Sequence, residues 1–230
     1  MEKQKPIFYT ELAYAAGLVL LALGTAFMTV ADFGVSMVTA PAYILHLALS
    51  PSLKFLSFGM ATYLFEGLLL LLMCVIIRRF RLSYLLSFVT AMLFGFLLDL
   101  ALDVVSLIPA THTAVRIALF VGGVPVCALA VALMFRTYFS PEVYELFVKE
   151  IATRYRFSIS RFKTVYDCSS FAIAVILSFC FFGRWQFRGI GVGTVLCALV
   201  NGFLIGLFGR LLDKIFRFGD GLPWRRFFER

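Results

Sequence analysis

Two carboxylates interrupt stretches of sequence that are otherwise strongly apolar. Glu66 follows Ser57-Phe-Gly-Met-Ala-Thr-Tyr-Leu-Phe, and Asp167 follows Ser158-Ile-Ser-Arg-Phe-Lys-Thr-Val-Tyr, so each acid stands at the same spacing after a serine. Glu66 lies about 12 residues, roughly 18 Å of helix, from Arg78. That depth is mid-membrane, where an ionised carboxylate is costly unless it is paired or wet. Such an acid either couples to a proton or cation, or stays neutral and bonded to a neighbouring hydroxyl or carbonyl. Asp167 stands one turn beyond Lys163, and Lys163 can pair with it. Arg161 and Lys163 can also offer positive charge to a ligand or anchor the helix at headgroups.

Other polar residues occupy positions with fewer readings. Asp99 and Asp103 share a helix face near an outer end, a spacing suited to a cation site or an acidic vestibule. For Asp103, pairing with Arg116 is the preferred expectation, whereas Asp99 lies deeper and is a candidate to line a cavity. Asn201, beside Gly202, is a candidate substrate contact or a helix–helix hydrogen bonder. Gly34 and Ser36 stand where backbone is expected to be exposed at a helix break. His46 and His112 have no partner at ligand spacing, and no metal or cofactor is expected. Gly189-x-Gly191-x-Gly193 lacks the preceding strand and spacing of a dinucleotide fingerprint, so its glycines are expected to permit close packing. No nucleophile, base and orienting group recur at a readable spacing, which argues against an enzyme.

The elements that must hold these residues are read from composition. The 230 residues are 62% hydrophobic and only 15% charged, and include 27 Phe. Long apolar runs without a polar face call for lipid. Spans are expected at about 12–30, 58–77, 83–106, 114–135, 160–182 and 190–212, each long enough to cross a bilayer. A cleaved signal peptide fits the first run poorly, because the run is too long and Thr29-Val-Ala31 is a weak cleavage site. Between the first two spans, Asp32-Phe-Gly34-Val-Ser36 breaks the helix. Thr39-Ala-Pro41 then opens a segment too short to cross, expected to be a half-helix or re-entrant. Ser140-Pro141-Glu142 is a strong helix start. The helix after it is amphipathic and is expected to lie along the interface.

The formal net charge of +8 is placed by the spans rather than by a nucleic acid, so nucleic-acid binding is not expected. With the N-terminus inside, every Lys and Arg falls on the inner side except Lys54, Arg116, Arg184 and Arg188. This bias predicts a multi-pass membrane protein with both termini on the cytoplasmic side. The five cysteines are scattered singly through apolar segments and read as small hydrophobes.

Each half therefore reads span, broken or interfacial helix, span, span. Residues 1–108 form the first half, 109–213 the second and 214–230 a basic tail, all within one transmembrane domain. Three spans per half reverse the second half, giving an all-α polytopic protein built as an inverted 3+3 repeat. Phe94-Gly95-Phe96-Leu97 and Asn201-Gly202-Phe203-Leu204 extend the match.

Several motifs occur in order along nearly the whole chain: Gly34-Val-Ser36, Leu53-Lys-Phe-Leu-Ser57-Phe-Gly59, Phe94-Gly95 through Asp99, Ser140-Pro141-Glu142, Ser160-Arg161-Phe-Lys163 and Gly189-Ile-Gly191-Val-Gly193-Thr194. Together they resemble the YczE/YyaS/YitT group of bacterial integral membrane proteins, nearest the YczE branch. The resemblance departs at Ser36, which no proline follows, at Lys163, where arginine is commoner, and at Asn201-Gly202, which replaces a Gly-Pro pair. It implies a fold and a membrane address but no activity. The leading functional expectation is a small secondary transporter for a polar solute, coupled to protons or cations. Glu66 and Asp167 would face a midplane site, with breaks near Ser36 and Ser140 as gates. The alternative is a membrane accessory protein for a partner or biosynthetic complex. The phenylalanine-rich exterior permits a homodimer.

Overall fold

A computed structural model describes residues 5–139, 142–183 and 189–222. Ser140, Pro141, Arg184, Arg188, Lys3 and the tail basic residues Arg225, Arg226 and Arg230 lie outside the described residues.

Among the described residues there are eight helices: α1 (Thr10–Ala31), α2 (Ala40–Leu49), α3 (Phe58–Ile77), α4 (Leu82–Val105), α5 (Thr113–Met134), α6 (Val143–Arg154), α7 (Ile159–Phe182) and α8 (Val192–Ile215). Six of them, α1, α3, α4, α5, α7 and α8, are long and apolar enough to cross a membrane, and α2 and α6 are too short. The protein is an all-α, multi-pass membrane protein. In hydrocarbon a helix satisfies its own backbone groups, which is why runs of this composition settle as helices.

Small residues set the packing. Helices α1 and α5 form the central pair, and their backbones meet at Gly24 and Gly123. A β-carbon on Gly24 would stand 2.9 Å from the Cys127 backbone nitrogen and 3.0 Å from the Gly123 carbonyl. Close approach of this kind is how membrane helices gain dispersion contacts when lipid removes the usual hydrophobic drive. Helix α4 flanks α1, and α8 flanks α5. The short helix α2 lies against α7, and α6 lies against α3.

Helices α3 and α4 close on each other where Gly59 faces Gly95. Ser57 caps α3, accepting from the Met60 N–H at 3.0 Å. Asp99 on α4 locks that cap, accepting from the Ser57 hydroxyl and from the Gly59 N–H at 2.8 Å. Asp99 is therefore a brace for the start of α3 and does not line the cavity described below. The serine opening α7 makes no such bond, so the two serines that looked alike in sequence differ in role.

The break after α1 is built by Asp32, in the left-handed region at φ 55°, and by Gly34 at φ 106°. A side chain at Gly34 would be strained at that φ and would also meet Gly191. Here the link between α1 and α2 docks on the start of α8. The Val35 N–H donates to the Gly189 carbonyl at 3.3 Å, and the Gly193 N–H to the Phe33 carbonyl at 2.9 Å. Gly189 and Gly191 before α8, and Gly193 in its first turn, thus permit a close backbone joint. Arg116 seals the same region, pairing with Asp32 at 3.1 Å and donating to the Ala31 carbonyl at 2.8 Å. The expected Asp103–Arg116 pair is not formed: Arg116 reaches α1 instead, and Asp103 is exposed.

At the opposite end a short parallel ladder joins β1 (Ile7–Tyr9) to β2 (Arg217–Gly219), which puts the start and end of the bundle on one side. Arg136 fastens that side by a bidentate pair with Asp213 at 2.6 Å and a bond to the Gly209 carbonyl.

Candidate functional site

The two short helices begin deep in the bundle and run outward in opposite directions. Helix α6 starts beside Glu66, whose Oε2 accepts from the Val143 N–H at 3.3 Å. It ends beside the far end of α3, where the Tyr155 hydroxyl reaches the Ile76 carbonyl at 3.4 Å. Helix α2 is approached through Met37, whose carbonyl accepts from Ser170 midway along α7 at 2.8 Å. It then packs Ala40 and Ile44 on Ala174, Leu177 and Phe182 toward the other end of α7. Helix α6 is therefore not laid along the membrane surface. Its apolar face (Val143, Phe147 and Ile151) is taken up by Leu69, Leu70, Met73 and Ile77 of α3 and by α4, which draws the helix into the bundle.

Where the two helices begin, a cavity of about 320 Å³ opens, bordered by every one of the eight helices. Of the residues singled out in the sequence, it brings together Glu66, Asp167, Asn201, Ser36 and Lys163. It does not include Gly34, Asp99, Asp103, Arg116 or Arg161. Gly34 packs in the backbone joint with Gly191, and Arg161 is exposed at the start of α7. The start of α2 uses Ser36 and Thr39 differently from the expected cap. Ala40 and Thr39 donate their N–H groups to the Ser36 carbonyl at 2.9 and 3.2 Å, and the Thr39 side chain caps nothing.

Sequence reasoning missed Glu142 as a site residue. It belongs to the expected helix start Ser140-Pro141-Glu142, yet its side chain makes no capping bond. It is buried, it borders the cavity, and its Oε1 has no hydrogen-bond partner. The signal available was its place immediately after a proline at the start of a helix too short to span, the position that a mid-membrane helix start occupies. Tyr144 and Tyr166, also on the cavity wall, are aromatic residues that composition alone does not distinguish from core.

Charge in the cavity is lopsided. Glu66, Glu142 and Asp167 line it, and the basic lining residue is Lys163. Lys163 does not serve Asp167. It pairs with Glu145 at 3.6 Å and lies over the Tyr144 ring at 5.5 Å. Asp167 Oδ1 and Asn201 Oδ1 are consequently buried without partners, as is Glu142 Oε1. Unmet buried acceptors cost free energy, about 1–3 kcal/mol each, unless something fills the space beside them. The cavity can thus hold a proton, a cation or a hydrogen-bond donor.

These features define a class: a six-span membrane protein with two short helices that start at an acid-lined internal cavity. Its sequence places it further. Residues 8–210 match the model of a family of unknown function, DUF6198, and the chain belongs to that family. No curated protein and no solved structure is found to match it.

Proposed function

We propose that the protein is a small secondary transporter that carries a polar solute across the bacterial inner membrane, coupled to protons or cations. The observation that carries this reading is the meeting of two oppositely directed short helices at one cavity holding Glu66, Glu142 and Asp167. Helices that start at mid-membrane beside a polar site are a recurring transporter device, since their ends supply unpaired backbone groups where a ligand must bind.

The packing supports an inverted 3+3 repeat. If α1 to α4 correspond to α5 to α8, the pairing of α4 with α1 matches that of α8 with α5. The pairing of α2 with α7 matches that of α6 with α3, and the central α1–α5 pair maps onto itself. On this reading one half rocks against the other about the cavity. The distribution of Lys and Arg orients the ladder end toward the cytoplasm, with both termini inside. The motif order described above supports kinship with the YczE branch. An accessory role is less well supported, because such a protein has no need of a polar cavity lined by unpaired acceptors.

The test is proton flux in proteoliposomes that enclose a pH-sensitive dye, challenged with a panel of amino acids, amines and carboxylates. Transport predicts flux that depends on one solute class and is lost in Glu66→Gln. Absence of solute-dependent flux for every class, with either a proton or a sodium gradient imposed and uptake of each solute also measured, would remove the transporter reading. Full activity in Glu66→Gln would remove Glu66 as the coupling group.

A further inference from the structure

The cavity's chemistry narrows the solute, an inference that rests on the transporter reading. All three buried, unpartnered polar atoms on its wall are acceptors: Glu142 Oε1, Asp167 Oδ1 and Asn201 Oδ1. Glu142 is only 8% exposed, so its orphan oxygen is not turned to bulk water. A ligand that satisfies acceptors must bring N–H or O–H donors, and one that balances surplus carboxylates must bring positive charge.

Several of the donors that would favour an anion are already engaged. Lys163 is held by Glu145. The first turn of α2 gives its Thr39 and Ala40 N–H groups to the Ser36 carbonyl, and the Val143 N–H at the start of α6 goes to Glu66. Much of the remaining wall is apolar or aromatic, including Leu21, Met28, Phe65, Leu69 and Tyr166, with the hydroxyl residues Thr25, Ser36 and Thr62 among them.

The cavity also has a side opening. Among its lining residues the exposed ones are Thr164 on α7 and Ala198 and Gly202 on α8. A β-carbon at Gly202 would meet nothing within 4 Å. Among the described residues no seam like that of α3 and α4 joins α7 to α8. Ala198 and Gly202 fall in the middle of α8, at the depth of lipid tails rather than of either membrane surface.

We propose that the cavity takes a primary alkylammonium, a charged donor head on an apolar body, admitted sideways from the bilayer between α7 and α8. The head bonds to Glu142, Asp167 and Asn201, and the body lies on the aromatic and aliphatic wall.

The experiment measures equilibrium binding to the full chain in lipid nanodiscs, with protein-free nanodiscs subtracted. The probes are n-octylammonium, methylammonium and octanoate. Saturable octylammonium binding is expected, at least tenfold tighter than that of methylammonium, with no saturable octanoate binding. Glu142→Gln should weaken octylammonium at least tenfold, and Asn201→Leu should weaken it in a chain that keeps its helical circular dichroism. Gly202→Trp, with Ala198→Trp as a second plug, should slow octylammonium association at least tenfold. Octanoate binding as tight as octylammonium, or full octylammonium affinity in Glu142→Gln, would overturn the assignment of solute class. Unchanged association in both tryptophan variants would overturn the sideways route. Because binding is read without a gradient, these failures are separate from a failure of transport, which would leave binding intact and proton flux absent.

Discussion

A carboxyl inside a bundle of apolar helices acts according to what surrounds it, and this chain contains three outcomes. Asp99 is fully occupied by the cap of α3, Glu66 is partly occupied by the start of α6, and Glu142 keeps an oxygen free. The sequence showed that Asp99 and Glu66 were deep, because depth follows from position along an apolar run. It could not show which way either faced. Asp99 was read toward a cavity, whereas the capped start of α3 lies directly across from it. Replacing Asp99 with Ala removes a charge-assisted brace and should lower stability by about 2–3 kcal/mol. A fall in the thermal unfolding midpoint checks this, and octylammonium affinity should be retained in the folded fraction.

Glu142 makes a prediction of its own. It is faced by Glu66 from α3, by Glu145 on its own helix and by Lys163 and Asp167 from α7. A cation needs a charged partner, so octylammonium binding should strengthen as pH rises, and Glu142→Gln should flatten that dependence.

At the scale of elements, the six spans were legible because length and hydropathy suffice to define a transmembrane helix. The amphipathic face of α6 was legible too, with Val143, Phe147 and Ile151 on the buried side. Its location was not. An amphipathic helix of this length fits a membrane surface or the flank of a larger helix equally well, and only the partner face on α3 decides. Glycines carried packing information that spacing left unread. The Gly24–Gly123 crossing depends on absent side chains, so Gly24→Leu should overpack α1 against α5. The cost should be at least about 1–3 kcal/mol, seen as loss of monodisperse protein or a lowered unfolding midpoint. Gly206→Leu, at a site with nothing within 4 Å, should be tolerated in the same measurement.

Across the whole molecule, the eight helices meet at one cavity whose α7–α8 wall is looser than its α3–α4 wall. The α3–α4 seam is locked by Gly59, Gly95 and Asp99, whereas α7 and α8 stand apart around Thr164, Ala198 and Gly202. That asymmetry lay beyond the sequence, since Gly95 and Gly202 sit in similar contexts and only three-dimensional placement separates a seam from a gap. The ladder of Ile7–Tyr9 with Arg217–Gly219 predicts that tags at the two ends are digested from the same face of sealed vesicles.

A midplane site that opens to each aqueous face in turn, beside its lateral gap between α7 and α8, is tested most directly by one residue. Asn201 is replaced by Cys in a chain whose five native cysteines are changed to Ser, and is then exposed to a membrane-impermeant thiol reagent. The account predicts modification from either face in separate experiments, slowed from both by saturating octylammonium. Modification from neither face, or from one face only whatever the ligand and gradient, would contradict it.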